Sequence, residues 1–384
     1  MMQHNRKIIY LAGFLYSFPF ALAAYINSSF ISSFTGQKLA GVIYVLGAIG
    51  SILSLLIAPK ILNKLGGYKF LLLMSLLGAL NFLALIFVSG IWTVIIAFVF
   101  LLSLNTMLIF SLDELLKIFS EDKLTGKIRG IYIVISNLAW VLAVLSFSIF
   151  GGGFEFRHIY MISFTVMVIF FLVSFYNLKK VPDPNYDRKN IVNYVAEFFK
   201  NKNLFRAYSL TFLLQFFYCW MVIYTPIYLS AYLGFSWSQI GIIFTIMLLP
   251  FLFVPLIMGK YADVVGERKI LMFGFFIAAL ATSSLFFITG HLVFVWASLL
   301  FATRLGASAV ESMSDAYFFK HIRRENEEFI GVYRSASPVA YIIAPIVALV
   351  VFYLVPSFNF IFLILGTLML YGIYLASTIE KSDI

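Results

Sequence analysis

The stretch GIYIVISNLAWVLA, residues 130–143, returns 201 residues later in the chain as GVYRSASPVAYIIA, residues 331–344. The two copies share a glycine, a tyrosine, a serine and two alanines at matching positions. At an offset of 200, Gly41 meets Gly241, and APK at 58–60 meets MGK at 258–260. Internal repeats of this kind indicate copies of one structural unit. The sequence therefore predicts two related halves that run in the same direction.

Apolar residues dominate the chain of 384 residues: 62% are hydrophobic and 11% are charged, with a mean hydropathy of +0.99. A soluble domain carries about 25% charged residues. A helix needs about 20 apolar residues to cross a bilayer. Twelve runs of about that length follow one another: 7–32, 39–61, 69–89, 91–113, 129–150, 157–178, 206–232, 237–258, 268–289, 292–317, 330–354 and 357–378. We predict an all-α membrane protein of twelve transmembrane helices in two pseudo-symmetric six-helix bundles.

Basic residues fix the predicted orientation. If the N-terminus is cytoplasmic, 24 of the 27 Lys and Arg residues fall in cytoplasmic segments, with Lys38 and Arg157 outside and Arg304 inside a span. This is the positive-inside pattern. It predicts a multi-pass protein of the inner cell membrane with both termini cytoplasmic. It also explains the pI of 9.4 without a nucleic-acid partner.

The first run begins with a positively charged segment, MMQHNRK, as a secretory signal does. Its apolar stretch continues to about residue 31 without a small-residue cleavage pattern, so we expect a retained first helix.

A polar segment divides the predicted halves. We expect an N-terminal bundle over 1–178, a cytoplasmic linker over 179–205 and a C-terminal bundle over 206–384. Within the linker, VPDPNYDRKN is rich in turn residues, whereas IVNYVAEFF at 191–199 is amphipathic. The latter is predicted to form a short helix on the membrane surface, either as a simple connection or as a regulatory element.

The loop after the eighth span carries the most specific motif, GKYADVVGERK at 259–269. Its order of Gly, Asp, Gly and a basic pair resembles the loop signature of the major facilitator superfamily. The resemblance implies alternating access around a site between the halves, as parallel-repeat transporters have. It also implies an intracellular lock, for which we assign Gly259, Asp263, Gly266, Arg268 and Lys269. The matching loop of the first half has Asn63 in place of the acid, which predicts an asymmetric lock.

The tenth span contains ionisable residues on one face. Arg304, Glu311 and Asp315 lie at i, i+7 and i+11, within about 40° at 100° per residue. A charged residue in mid-membrane costs roughly 2.5–3.5 kcal/mol on insertion scales, so such a stripe indicates function. Shifted by 201 positions, Asp315 matches Glu114, whereas Arg304 and Glu311 match Ser103 and Phe110.

The acid that both halves share is predicted to act in gating. We expect Glu114 to pair with Arg129, and Asp315 with Arg334, on the cytoplasmic side. The alternative is that each is an ordinary interfacial ion pair.

The charges found in one half alone suit substrate binding or ion coupling. A carboxyl group that leaves water can carry a proton, so Glu311 is the predicted coupling residue. Arg304 is predicted to bind an anionic group or to neutralise Glu311. The alternative is a permanent structural pair.

Further polar and aromatic residues recur on single helix faces and are predicted to line an aromatic-walled cavity. They are Tyr16, Asn27, Asn105, Trp140, Gln215, Tyr218 and Tyr341. For each of them, helix packing is the alternative, since polar side chains also join helices in lipid.

The sequence lacks a Walker-type loop, a metal-ligand cluster and a catalytic triad. We therefore expect no enzyme activity, no cofactor and no metal. The prediction is a monomeric secondary transporter of a small organic solute, coupled to protons. A weakly charged, aromatic cavity favours antiport and export of amphipathic compounds, and the alternative is an uptake transporter or facilitator for a sugar or organic anion. Two other interpretations are a membrane sensor or scaffold that does not transport, and a lipid translocase.

Overall fold

The computed structural model describes residues 2–37, 39–118, 125–149, 155–179, 191–321 and 328–379. The chain divides into two compact units, Met1–Asp187 and Arg188–Ile384. The second unit therefore includes helix Ile191–Lys200, which lies in the predicted linker.

The first unit contains six long helices formed by the first six apolar runs. They are α1 (Met2–Thr35), α2 (Ala40–Leu65), α3 (Gly67–Ile86), α4 (Ile91–Ile118), α5 (Thr125–Leu145) and α6 (Phe156–Asn177). A short 3₁₀ segment, Ser146–Ile149, extends α5.

The second unit contains nine helices among its described residues. They are α7 (Ile191–Lys200), α8 (Lys202–Ile227), α9 (Trp237–Leu248), α10 (Pro250–Val265), α11 (Glu267–Leu285), α12 (Val293–His321), α13 (Glu328–Arg334), α14 (Ala336–Leu354) and α15 (Phe360–Ser377). A π-helical turn, Tyr228–Tyr232, continues α8.

The all-α membrane fold is confirmed. Eleven helical stretches of the described chain are long and apolar enough to cross a bilayer, and none of the described residues forms a strand. The twelfth predicted span is represented by the shorter apolar helix Ile131–Leu145, which is part of α5. Two spans are interrupted: the eighth before Pro250, since proline cannot donate a helical hydrogen bond, and the eleventh at Ser335.

The repeat is visible in each unit's own packing. In the first unit α1 contacts α5 and α6, and in the second α8 contacts α14 and α15. Gly66 and Gly266 occupy matching turns, with φ of +78° and +81° and ψ of 157° and 147°. This backbone region is open essentially to glycine alone, so both copies need that residue there.

Helix α12 is held by close packing against α11. The backbone oxygens of Gly274 and Gly306 lie under 3.0 Å from the position that a Cβ atom on the facing glycine would take, which is too close for any larger residue. Small residues allow such close approach between membrane helices. Because Gly306 lies about 200° around the helix from Arg304, this contact turns the charged stripe of α12 away from α11.

Candidate functional site

Arg304 lies inside the second unit with 1% of its surface exposed. Its guanidinium carbon is 5.3 Å from the ring centre of Phe217 and 5.1 Å from that of Tyr218, both on α8. Aromatic faces attract a cation in this geometry. Two adjacent residues of α8 therefore position the guanidinium group.

The charge of Arg304 is incompletely compensated. Its Nε and Nη1 atoms are buried, and neither has a hydrogen-bond partner within the described part of the chain. A buried, desolvated cation–π contact contributes about 2 kcal/mol, whereas burying an ion costs several kcal/mol even after relaxation. The two rings do not offset that cost. This arrangement favours an anionic group at Arg304.

Glu311 is held by the same tyrosine. The Tyr218 hydroxyl donates to Glu311 Oε2 at 2.8 Å, while the Tyr218 ring lies beside Arg304. No ion pair joins Arg304 to Glu311 among the described side chains. This agrees with their spacing, since residues seven apart on a helix are separated by about 10 Å along the axis. Tyr218 thus connects two charges that do not contact each other.

A second polar cluster surrounds Asp315, one turn beyond Glu311. The Tyr333 hydroxyl donates to Asp315 Oδ1 at 2.8 Å, and Arg334 Nη2 lies 3.4 Å from Asp315 Oδ2. Tyr333 also shares a 2.6 Å hydrogen bond with Thr211 of α8 and stacks on Phe318 at 3.9 Å between ring centres. The structure therefore brings Asp315 and Arg334 together, and a tyrosine of α13 ties them to α8.

The signature loop contributes a residue that was not among the predicted gating residues. Glu267, 2% exposed at the start of α11, forms an ion pair with Lys320 at the end of α12. The sequence could have indicated Glu267, because it lies between Gly266 and Arg268 in the motif. Arg268 is half-buried and Lys269 is exposed.

Four predicted gating residues lie in helices whose described features do not include their side chains. They are Glu114, Arg129, Gly259 and Asp263. The predicted pair of Glu114 with Arg129 and the predicted role of Asp263 thus depend on side chains that the structure does not describe.

Several predicted cavity residues of the first unit contact one another or neighbouring helices. The Tyr16 hydroxyl donates to the side-chain oxygen of Asn105, which links α1 to α4. The Tyr160 hydroxyl donates to Asn27 Oδ1 at 2.8 Å, which links α6 to α1. Trp140 packs edge-on against Tyr25 at 6.1 Å. All three contacts join helices within one unit, as the packing alternative describes.

Two predicted cavity residues of the second unit lie on different helices from the charged stripe. Gln215 on α8 and Tyr341 on α14 are both half-buried.

A cavity of about 320 Å³ lies at one end of the first unit, between α3 and α4. Its lining includes Asn81, Phe87, Thr93 and Phe100 and none of the predicted site residues. Over the described ranges, no group of three or more His, Cys, Asp or Glu side chains is placed to hold a metal ion. The buried Arg304 and the contacts of Tyr218 with Arg304 and Glu311 make the charged stripe of α12 the candidate site.

Comparison with solved structures agrees with this architecture over nearly the whole chain. A D-xylose–proton symporter superposes with a TM-score of 0.77 at 13% identity, covering 98% of this chain and 97% of that one. The POT family transporter PepTSo gives 0.76 at 10% identity, covering 97% of each chain. A mutant of the peptide transporter POT, in complex with sulfate, gives 0.75 at 12% identity, covering 97% and 92%. At such identities the likeness shows the fold.

The fold is the one found in these solved transporters and in the solved symporter. The family model of the Major Facilitator Superfamily matches residues 208–381, which make up most of the second unit. The resemblance to this superfamily that the sequence indicates is confirmed over these residues, and the chain is a multi-pass membrane protein. No curated protein sequence matches it.

Proposed function

We propose that this transporter couples the movement of a small organic solute to protons, and that Glu311 carries the proton. One observation carries the proposal: the Tyr218 hydroxyl donates to Glu311 at 2.8 Å next to the buried Arg304. A proton-carrying carboxyl needs a partner that fits both of its forms. A tyrosine hydroxyl can donate to the carboxylate and can accept from the protonated acid.

The solved relatives support a coupling role without identifying the solute. One of them is a D-xylose–proton symporter, and others are peptide transporters. These proteins share the fold with this chain, so the same architecture accommodates transport of different solutes, in one case together with protons.

We further propose that the polar cluster at the end of α12 acts as a lock on the cytoplasmic side. Arg334 and Tyr333 hold Asp315, and Lys320 holds Glu267. The Asp315–Arg334 pair is partly exposed, with 30% and 53% of the side chains accessible. Exposed ion pairs typically contribute about 0–1 kcal/mol, so such a contact can open at low cost.

Substitution of Glu311 tests the coupling. In proteoliposomes, we expect Glu311→Gln to abolish accumulation driven by a pH gradient and to leave counterflow exchange, since binding does not require proton release. The solutes assayed are D-xylose, dialanine, lactate and nicotinate. The matched control is Glu197→Gln, which removes an exposed carboxyl group on α7.

Two results would contradict the proposal. One is accumulation by Glu311→Gln at the wild-type level. The other is a wild-type protein whose flux of every assayed solute is insensitive to the pH gradient.

A further inference from the structure

We infer that the solute is an organic monoanion, and that each anion crosses together with one proton without net movement of charge. The anion binds Arg304 and the proton binds Glu311. This inference rests on the proposed function and adds the charge and chemical class of the solute.

The unpaired donors of Arg304 carry the first step. Nε and Nη1 together present three N–H groups, and both atoms are buried without an acceptor in the described part of the chain. A carboxylate offers two oxygens with about four acceptor sites, and arginine binds such groups in a planar, bidentate way. The donors and the charge of this side chain therefore fit a carboxylate.

Ser308 supplies a second, independent sign of a polar ligand on the same face. It lies one turn beyond Arg304 on α12, at 1% exposure, and its Oγ also has no partner among the described residues. Buried hydroxyl groups are normally hydrogen-bonded. Arg304 and Ser308, one turn apart on the same face, thus both have buried polar atoms without a partner among the described residues.

The surroundings of Arg304 indicate the rest of the solute. Phe217 and Tyr218 flank the guanidinium group, and Tyr218 packs on Phe251 at 6.2 Å. Aromatic walls with few polar groups bind apolar bodies. We therefore expect a small carboxylate with an aromatic or aliphatic body.

Charge balance explains why the proton and the anion move together. Among the described residues, the charged groups that act on Glu311 are Arg304 and Asp315 on α12 and Arg334 on α13, and Tyr218 of α8 donates to it. With all four ionised, Arg304 and Arg334 balance Glu311 and Asp315. A bound monoanion adds one negative charge, and protonation of Glu311 removes one. Binding of the anion therefore favours binding of the proton, and the reverse also holds. The two cross the membrane together without net movement of charge.

Binding is tested with matched carboxylates and amides, using the shift of the thermal unfolding temperature of the purified full-length chain. The pairs are benzoate with benzamide, nicotinate with nicotinamide, lactate with lactamide and phenylacetate with phenylacetamide. We expect at least one carboxylate to stabilise the wild type with at least tenfold higher affinity than its amide, and more strongly at pH 6 than at pH 8. Absence of a shift with all four carboxylates, or equal shifts with the amides, would overturn the inference.

Variants of Arg304 separate ligand binding from a structural role. Arg304→Met should remove the carboxylate-dependent shift, and Arg304→Lys should weaken the affinity by about tenfold because it keeps charge without the planar fork. Arg157→Gln is the control, since Arg157 also lies near an aromatic ring, 5.4 Å from that of Phe87, but is exposed. Without ligand, Arg304→Met should unfold no earlier than the wild type. A misfolded or less stable Arg304→Met would show that the arginine is structural and would overturn the inference.

Transport of the carboxylate that binds distinguishes this inference from the proposed function. In proteoliposomes, with Arg304→Met vesicles as the blank for passive permeation, a pH gradient should drive accumulation and a potassium diffusion potential should not. Proton-driven flux that also responds to the potential would refute neutral cotransport and leave proton coupling in place. Flux of the bound carboxylate that ignores the pH gradient would refute the proposed function itself.

Discussion

Tyr218 contacts two charged residues of α12, Arg304 and Glu311, through different parts of its side chain. Its ring lies 5.1 Å from the guanidinium carbon of Arg304, and its hydroxyl donates to Glu311. The ring interaction does not depend on the protonation state of Glu311, whereas the hydrogen bond does. The proposed binding at Arg304 and the proposed coupling at Glu311 can therefore be separated by removing one atom of Tyr218.

The substitution Tyr218→Phe removes the hydroxyl and keeps the ring. A hydrogen bond to a charged group contributes about 1.5–3 kcal/mol, which corresponds to a ten- to hundredfold effect on a proton equilibrium. We expect carboxylate affinity to stay within threefold of the wild type, while accumulation driven by a pH gradient falls at least tenfold. Thermal-shift titration and proteoliposome uptake measure the two quantities.

The control is Tyr176→Phe, because Tyr176 is 75% exposed on α6. Equal loss of affinity and of accumulation in Tyr218→Phe would show that the hydroxyl has no separate part in coupling.

Periodicity predicted the residues of the stripe but not their partners. Arg304, Glu311 and Asp315 fall on one face because 3.6 residues make one turn, and this requires no knowledge of other helices. Tyr218 was among the predicted cavity residues, yet its contact with both charges depends on how α8 packs against α12. Thr211 and Tyr333 were missed as partners of the Asp315 cluster for the same reason. A helical pattern shows which face of a helix is polar, but it does not show which neighbouring helix packs against that face.

Among the helices, α7 differs most in its location from what the sequence predicted. An amphipathic helix of this composition suits a membrane surface. In the structure Phe198 is fully buried, with its ring 5.6 Å from that of Phe329 and 6.3 Å from that of Phe318. An apolar face packs equally well on lipid or on protein, so amphipathicity alone could not decide. The helix is part of the second unit and lies beside the Asp315 cluster through Phe318.

The substitution Phe198→Ala should therefore destabilise the second unit. Truncation of a buried Phe costs about 3–5 kcal/mol, because apolar contacts are lost and a cavity is left behind. We expect a clear decrease in the thermal unfolding temperature. A helix lying on lipid would instead leave this temperature unchanged.

The adjacent residue provides the matched control. Phe199 is 40% exposed on the same helix, so Phe199→Ala should lower the unfolding temperature much less. Equal effects of the two substitutions would contradict the packing of α7 through Phe198.

Over the whole chain, the internal repeat shows which features the two halves have in common and which occur in one half alone. The glycine turns at Gly66 and Gly266 are alike in both. Arg304 matches Ser103, whose hydroxyl donates to the Val99 carbonyl of its own helix at 2.8 Å. The backbone plan is therefore common to both units, whereas the buried charge belongs to one.

The transmembrane helices could be predicted from hydropathy, because lipid requires long apolar helices whose backbone groups bond internally. The break before Pro250 and the separate helix α13 were not predicted, since the runs at 237–258 and 330–354 were each assigned as a single span. The solute could not be predicted to a single compound, because the polar contacts of the site are few.

Transport through the proposed site requires water and solute to reach the charged face of α12. Ser308 lies on that face, whereas the next residue, Ala309, points about 100° away. Both residues are buried in the structure, at 1% and 6% exposure. A thiol at position 308 should therefore react with water-soluble reagents only when the transporter opens.

The most direct measurement is the labelling of Ser308→Cys by a charged, membrane-impermeant methanethiosulfonate, with Ala309→Cys as the matched control. Cys219, the one cysteine of the sequence, is first replaced by serine. We predict that Ser308→Cys is labelled in proteoliposomes, that a pH gradient changes its rate, and that Ala309→Cys reacts at least tenfold more slowly. Equal and negligible labelling at both positions would show that the charged face of α12 stays sealed in dry protein, and would contradict a transport site at Arg304 and Glu311.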